Sequence, residues 1–396
     1  MLLLLALLAA IPAGRLEAAD WQLFGPNAPD IEFHGFASQG FLDSTDYNYL
    51  GHSKTGSFEF TELGLNTSFN PFPRMRIAAQ AFAYDVGDAG RYDPVLDYAL
   101  AEYTFNDYFG IRAGRIRRPE GIYNDIQDVD LGRTFVLLPQ GVYDARFRDF
   151  YVSLDGGEIF GTVPLGQAGS LTYEIYGGLM RPSMDGGVAL QFRNSLPPTA
   201  HLDQIIPCKL YGGQLWWITP IDGLRLGVGG CYSPWTEFTL TAQTPAGTVH
   251  LQNPSDTFTQ QYSAEYQWKE WTFQTEFYFL NLNPEAAGVA PSSSFSWYAS
   301  AEYRFNKWFE VGSYYTQYYN ESFGPSGPGT GSATFPSDAY QKDLAVALRF
   351  DITDRWIFKV EGHYINGTAL LQDNVDNPVR RENGWMMIAI KSTISF

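Results

Sequence analysis

The chain has only two cysteines and five histidines in 396 residues. That supply allows one disulfide at most and argues against a zinc cluster. His34, His52, His201, His250 and His363 are scattered, and none stands in a His-x-x-x-His spacing. Charge is also scarce, at 17% of residues, with 26 basic against 43 acidic. The net charge is −17 and no Lys/Arg tract stands out, which argues against nucleic-acid binding. After the first dozen residues no run of about 18 apolar residues occurs, so helical membrane spans are not expected. No glycine-rich phosphate loop follows a strand, and "GSLTYEIYGG" (169–178) holds no nucleophile elbow. No cofactor, metal or catalytic residue is therefore expected.

Aromatics and glycine are plentiful: 25 Tyr, 29 Phe, 10 Trp and 39 Gly. This density suits many strands, tight turns and aromatic girdles at membrane interfaces. The start, "MLLLLALLAAIPAGRLEAAD", reads as a secretory signal with an apolar core over 2–11. It departs from the usual pattern in having no Lys or Arg before that core. Small residues at Ala18 and Ala19 place cleavage near Ala19, leaving 20–396 as a single domain. Export permits a disulfide. Cys208 and Cys231 flank the short turn "TPIDG" (219–223), on one face of neighbouring strands if that turn joins a hairpin. A bridge is expected; the alternative is two inert small residues.

Period-two segments recur along the chain. They fall at 31–42, 57–69, 75–84, 94–105, 109–117, 148–160, 170–180, 208–218, 223–232, 257–268, 271–281, 294–305, 308–319, 339–350, 355–366 and 385–396. That makes sixteen, and most reach the roughly 9–11 residues a tilted strand needs to cross a bilayer. Short connections such as "NPFPR", "FNDYFG" and "DITDRW" alternate with long ones rich in Gly, Pro, Ser, Asn and Asp. The long ones fall at 43–56, 118–147, 181–207, 233–256, 282–293, 320–338 and 367–384. "AEYTFNDYFG", "AEYQWKEWTF" and "AEYRFNKWFE" repeat one strand–turn–strand unit. Long loops at one end and tight turns at the other fit an all-β transmembrane antiparallel barrel of sixteen strands. Its short turns would face the periplasm and its long loops the outside.

Parity gives inside and outside. Over 271–281, Trp271, Phe273, Phe277 and Phe279 share one face, and Thr272, Gln274, Glu276 and Tyr278 the other. Over 294–305, Ser296, Tyr298, Ser300, Glu302 and Arg304 oppose an aromatic face. Lys359, Glu361 and His363 alternate with Phe358, Val360 and Tyr364. A single layer of sixteen aromatic-rich strands cannot bury its apolar faces inside, so these faces belong in lipid. Glu276, Glu302, Arg304, Arg349, Lys359 and Glu361 are the expected pore-lining residues, with Arg76, Glu102, Arg225 and Glu265 as further candidates.

These features together resemble a Gram-negative outer-membrane porin of the general trimeric superfamily, over most of the mature sequence. "AGRIRRPEGIYND" (113–125) is similar to the basic Pro-Gly run that closes the fifth strand in several porin families. The C-terminal strand "WMMIAIKSTISF" ends on Phe396, resembling the signal that outer-membrane assembly machinery reads. The resemblance implies an inward-folding constriction loop over 118–147, a homotrimer, and contact with outer-membrane lipid and lipopolysaccharide.

That loop is long and unusually apolar, with Val136, Leu137 and Leu138 before Pro139. It should pack on the inner wall, or else on neighbouring loops or a partner subunit. Arg115, Arg117, Arg118 and Arg133 crowd it with Glu120, Asp125, Asp128 and Asp130. Arg146, Arg148 and Asp144 lie nearby. Parity points Arg115 and Arg117 into the lumen and leaves Arg112 unplaced. A basic wall facing an acidic loop would set a transverse field in a pore; an ion-pair network anchoring the loop is the other reading. The function expected is passive diffusion of ions and small hydrophilic solutes, with a slight lean to anionic ones. The alternatives are a substrate-specific channel and a plugged-barrel enzyme or structural protein.

Overall fold

The computed structural model describes residues 31–285, 291–320, 336–371, 377 and 384–396. The signal expected over 1–19 lies outside the described residues.

The wall is built from β1 (Ile31–Ser44), β2 (Phe60–Phe72), β3 (Met75–Val86), β4 (Val95–Asn106), β5 (Phe109–Arg117), β6 (Ser153–Pro164) and β7 (Ser170–Met180). It continues through β9 (Cys208–Ile218), β10 (Leu224–Thr244), β11 (Gly247–Trp268), β12 (Trp271–Pro284) and β13 (Ser292–Asn306). It ends with β14 (Phe309–Asn320), β15 (Tyr340–Thr353), β16 (Trp356–Gly367) and β17 (Gly384–Ser395). Consecutive wall strands pair antiparallel, β7 pairs directly with β9, and β1 pairs with β17. Sixteen strands therefore close on themselves. Closure leaves no unpaired edge, which is what a sheet in lipid requires.

The period-two pattern explains each wall strand. On β12, Gln274, Glu276 and Tyr278 are buried inside, while Phe273 and Phe277 are exposed outside. On β13, Ser296, Tyr298, Ser300 and Glu302 are buried in the same way. The outer aromatics gather next to the short turns. Phe305, Phe309 and Phe350 stack at 5.5 and 5.2 Å, beside Trp308. Such a band suits the membrane–water interface, where an aromatic body meets a polar layer. The repeated hairpin unit also has a local cause. Asn106 Oδ1 accepts the Tyr108 N–H at 2.9 Å, and Asn306 Oδ1 accepts the Trp308 N–H at 2.9 Å. An Asn that hydrogen-bonds the backbone two residues on closes both turns.

Three expectations need correction. The sixth strand begins at Ser153, because Arg148–Tyr151 forms a helical turn, α1. The Asp144 side chain accepts the Arg146 N–H just before it, which favours helical over extended backbone there. Second, 181–207 and 233–256 are not irregular loops. They carry the helix α2 (Gly187–Ser195), the strand β8 (Ala200–Ile206) and long extensions of β10 and β11. β8 pairs with the upper half of β10, outside the wall. Phe192 of α2 stacks on Phe238 of β10 at 4.6 Å, over Leu202 and Ile205 of β8. Third, Cys208 and Cys231 are both free and buried. They share the lumen face, but Cys231 lies opposite Gly212. That offset of four residues spans about 13 Å along a strand, well beyond disulfide reach.

The seam closes on the last residue. The Gly35 N–H donates to Phe396 O at 3.1 Å, and the Phe396 N–H to Gly35 O at 3.0 Å. The Phe396 ring occupies the space that a side chain at 35 would fill: a Cβ there would sit 2.5 Å from Phe396 Cζ. Gly35→Leu is expected to expel the ring at a cost of about 1–3 kcal/mol. Heat-modifiability on gels should show folded barrel melting at a lower temperature than wild type.

Candidate functional site

The chain leaves the wall immediately after β5. The Arg118 N–H still bonds Val152 O at 2.8 Å. Everything between them folds into the lumen. Glu276 of β12 is wholly buried and receives the Ile122 N–H at 2.9 Å, together with the Tyr143 hydroxyl. Tyr123 donates to Gln274 at 2.5 Å, and Ser296 of β13 to Gly141 O at 2.6 Å. Thr134 donates to Glu302 at 2.5 Å. Glu361 of β16 accepts the N–H groups of Val136 and Leu137 at 2.8 and 3.1 Å. Lys359 Nζ donates to the carbonyls of Asp130 and Phe135, and Arg349 to that of Arg133. The apolar tip is buried as expected. Phe135 packs on Tyr314 at 5.0 Å, where Ala345 and Ala347 leave room for its ring. Polar wall residues thus satisfy the loop's backbone, which would otherwise be stranded away from water.

Two ion-pair groups fix the middle of the loop. Asp130 is buried and receives Lys391 at 2.7 Å, Arg133 at 2.9 Å, Thr393 at 2.7 Å and Lys359 at 3.5 Å. Lys391 also reaches Glu62 of β2 at 2.5 Å, so this group spans the β1–β17 seam. Burial alone would raise the Asp130 carboxyl. Lys391, Lys359 and Arg133 outweigh it and hold the group well below the usual carboxylate range. Two residues earlier, Asp128 turns to β3–β5. It pairs with Arg148 at 2.5 Å and with Arg117, and both arginines also pair with Asp97 of β4. Gln80 of β3 completes that group through Asp97 at 2.9 Å. Burial raises the Asp128 carboxyl too, and Arg148 and Arg117 pull it well down.

The expected residues are distributed as follows. Arg117, Arg118, Arg133, Glu120, Asp128 and Asp130 lie inside the barrel. Arg118 pairs with Glu120 at 2.5 Å, and Glu120 accepts Thr259 of β11 at 2.9 Å. Asp125 is exposed within the lumen, its carbonyl accepting Arg117 at 3.1 Å. Arg304 lies nearer the short turns, paired with Glu310 at 2.7 Å and Asp351 at 2.8 Å. Arg115 is a correction. It shares the parity of the outward, exposed Ile111 and Ala113, and pairs with Asp155 at 3.0 Å. Arg112, left unplaced by the sequence, faces inward with Ile116 and meets Glu102 at 2.6 Å and Glu158 at 2.7 Å. Even positions of β5 face in; Arg117 reaches the lumen because the chain leaves the wall there. Sequence reasoning missed Glu62 and Asp97. The Asp in "VLDYALAEYTF", a strand whose other charge is Glu102, was the available signal.

Solvent still enters part of the lumen. The side chains of Glu102, Arg112, Glu174 and Arg225 are 18%, 25%, 21% and 36% exposed although they point inward. A further cavity, below 128–131, is lined by Asn66, Gln80, Arg117, Thr393 and Phe396.

No family model matches the chain, and no curated protein is similar to it in sequence. Solved structures are similar in fold. An anion-selective porin from Comamonas acidovorans matches with a TM-score of 0.55 at 9% identity, over 93% of this chain and 100% of that one. The outer membrane channel DcaP of Acinetobacter baumannii matches with a TM-score of 0.57 at 9% identity, over 94% and 99%. The trimer form of OmpT, an outer membrane protein of Vibrio cholerae, matches with a TM-score of 0.55 at 11% identity, over 93% and 100%. With its apolar exterior, closed sixteen-stranded wall and inward loop, the chain has the fold of the outer-membrane porins.

Proposed function

We propose that the barrel is a passive channel for ions and small hydrophilic solutes, narrowed by 118–152. The observation that carries this reading is the set of inward charges around β4–β7 and β10 that water reaches beside the loop. On this reading Arg117, Arg118, Arg133, Glu120, Asp125, Asp128 and Asp130 shape the neck. Glu276, Glu302, Arg349, Lys359 and Glu361 hold the loop to the wall, and Arg304 lines the periplasmic mouth. Residues 1–19 direct export, Phe396 addresses the chain to the assembly machinery, and three barrels associate in lipid and lipopolysaccharide. The expected lean to anions loses its basis, because Arg117, Arg118 and Arg133 each contact a carboxylate. Opposite charges in contact leave little transverse field.

A second reading, a plugged barrel, is favoured by the burial of Asp128, Asp130, Lys359 and Lys391 inside the wall. Planar-bilayer recording separates the two. The channel reading expects discrete ohmic steps from purified protein; a silent membrane supports the plug.

A further inference from the structure

Beyond the wall, at the end that carries the long connections, β8, β10 and β11 form a sheet of their own. α2 covers one face of it, over Leu202, Ile205, Phe238 and Leu240. The other face carries a polar row across all three strands. His201 of β8 and His250 of β11 each stand directly opposite Thr241 of β10. Residues paired in an antiparallel ladder share a face, so the two imidazoles flank one small hydroxyl. His250 has the parity of Phe258 and Tyr262, which β11 shows to the outside. Asp203 joins the row because the β8–β10 register shifts between Thr239 and Leu240, leaving Asp203 as the extra residue. A bulge of this kind re-aims a side chain. Asp203 Oδ1 lies 3.2 Å from His201 Nε2, and Asp203 Oδ2 accepts the Thr241 hydroxyl at 2.7 Å. Thr241 Oγ1 in turn lies 2.9 Å from His250 Nδ1. His201, Asp203 and His250 are all exposed.

We propose that His201, Asp203 and His250 form a site for a divalent transition-metal ion of the zinc type on the outer face of this sheet. The site lies apart from the lumen, so the inference goes beyond the channel reading and does not depend on it. Two imidazoles and a carboxylate are the donor set that such ions take, whereas calcium and magnesium take oxygens. The pair already in contact has the right span. Two zinc ligands at about 2.0–2.1 Å and a tetrahedral angle lie about 3.4 Å apart, against 3.2 Å between His201 Nε2 and Asp203 Oδ1. The ion replaces a proton between those two atoms. As they stand, the three groups do not surround one point. Only the His250 ring has to turn, and its exposure leaves it free to do so. Two inter-strand steps, roughly 9.5 Å, separate the backbones of the two histidines. Imidazoles leaning over the small Thr241 side chain close that gap through two metal bonds. Three protein ligands leave the fourth position open to water. No His-x-x-x-His spacing announces the site, because its ligands lie on separate strands that β10 brings together.

Zn²⁺ is the probe. Titrated by calorimetry into the folded, untagged full-length barrel in detergent, it should bind saturably, a single ion per chain, with release of protons to the buffer. His201→Ala and His250→Ala should each weaken binding at least about tenfold. Asp203→Asn, which keeps the shape and removes the charge, should weaken it as well. These positions are exposed and beyond the wall, so the gel shift of the folded barrel should stay as in wild type. His34→Ala with His52→Ala, exposed histidines elsewhere in the chain, should leave binding unchanged. The ion also ties β8 to β11 across β10. Zinc should therefore slow amide exchange over 200–206 in the wild type and not in the His201 or His250 variant. Absence of saturable binding, or zinc held equally well by the His201 and His250 variants, overturns the site. Binding lost in the His34 and His52 variant instead places the metal elsewhere and overturns it too.

Discussion

Asp130→Asn is expected to free the inward loop from the seam while the barrel stays closed. The substitution keeps the side-chain volume and removes the charge that Lys391, Lys359 and Arg133 share. Leaving buried cations without their counter-ion costs about 3–5 kcal/mol. β1 and β17 keep their full ladder, so that loss should fall on the loop. Two readouts follow. The folded form should melt at lower temperature on gels, and the unit conductance should rise. Lys391→Met in the same chain should recover part of the loss, because it removes one of the stranded cations; non-additivity of the pair measures the coupling. The anchor also has a pH sign. A carboxyl depressed in the fold stabilises above its unfolded value and loses that contribution as pH falls. Release by acid should therefore begin below about pH 4 and continue towards the depressed folded value. Neutral and mildly acid media should leave the loop in place.

Much of this architecture is legible in the sequence because a membrane barrel has few ways to satisfy its constraints. Each wall strand must show lipid an apolar residue at every second position, and β5, β7 and β9 begin and end where the alternation does. The apolar run 136–138 signals that the loop needs a covering surface, and the inner wall supplies it together with Tyr47, Tyr49 and Leu50 of the β1–β2 connection and Leu370 and Leu371 after β16. What stayed hidden depends on partners distant in sequence. The anchor of Asp130 lies on Lys359 and Lys391, and that of Asp128 on Gln80 directly and on Asp97 through the shared Arg117 and Arg148. No spacing rule links those positions. Parity failed at the end of β5, where Arg115 and Arg117 share a face in the strand and part company once the chain turns inward. The extensions of β10 and β11 are hidden in the sequence because Pro234, Pro245 and Pro254 interrupt the run. Proline is tolerated at strand edges and bulges, and the β10–β11 ladder does shift register between Ser233 and Thr236.

The charges of the neck show why composition misleads here. A crowd of arginines beside a loop suggests an electrostatic filter. Buried in contact with Asp97, Asp128, Asp130 and Glu120, they act first as fasteners.

Excision of the loop tests the central claim most directly, that 118–152 crosses the lumen and limits passage. Arg117 faces Ser153 in the β5–β6 ladder, and Arg118 bonds Val152. A two-residue Asn-Gly turn can therefore replace 119–151 without disturbing the register. Glu276, Glu361, Lys359 and Lys391 would then face water, which solvates them. A sixteen-stranded barrel without an inner loop is wide enough for an open aqueous channel. The single-channel conductance of the excised barrel should be several-fold that of wild type in the same salt. An equal unit conductance in the two proteins would contradict the account.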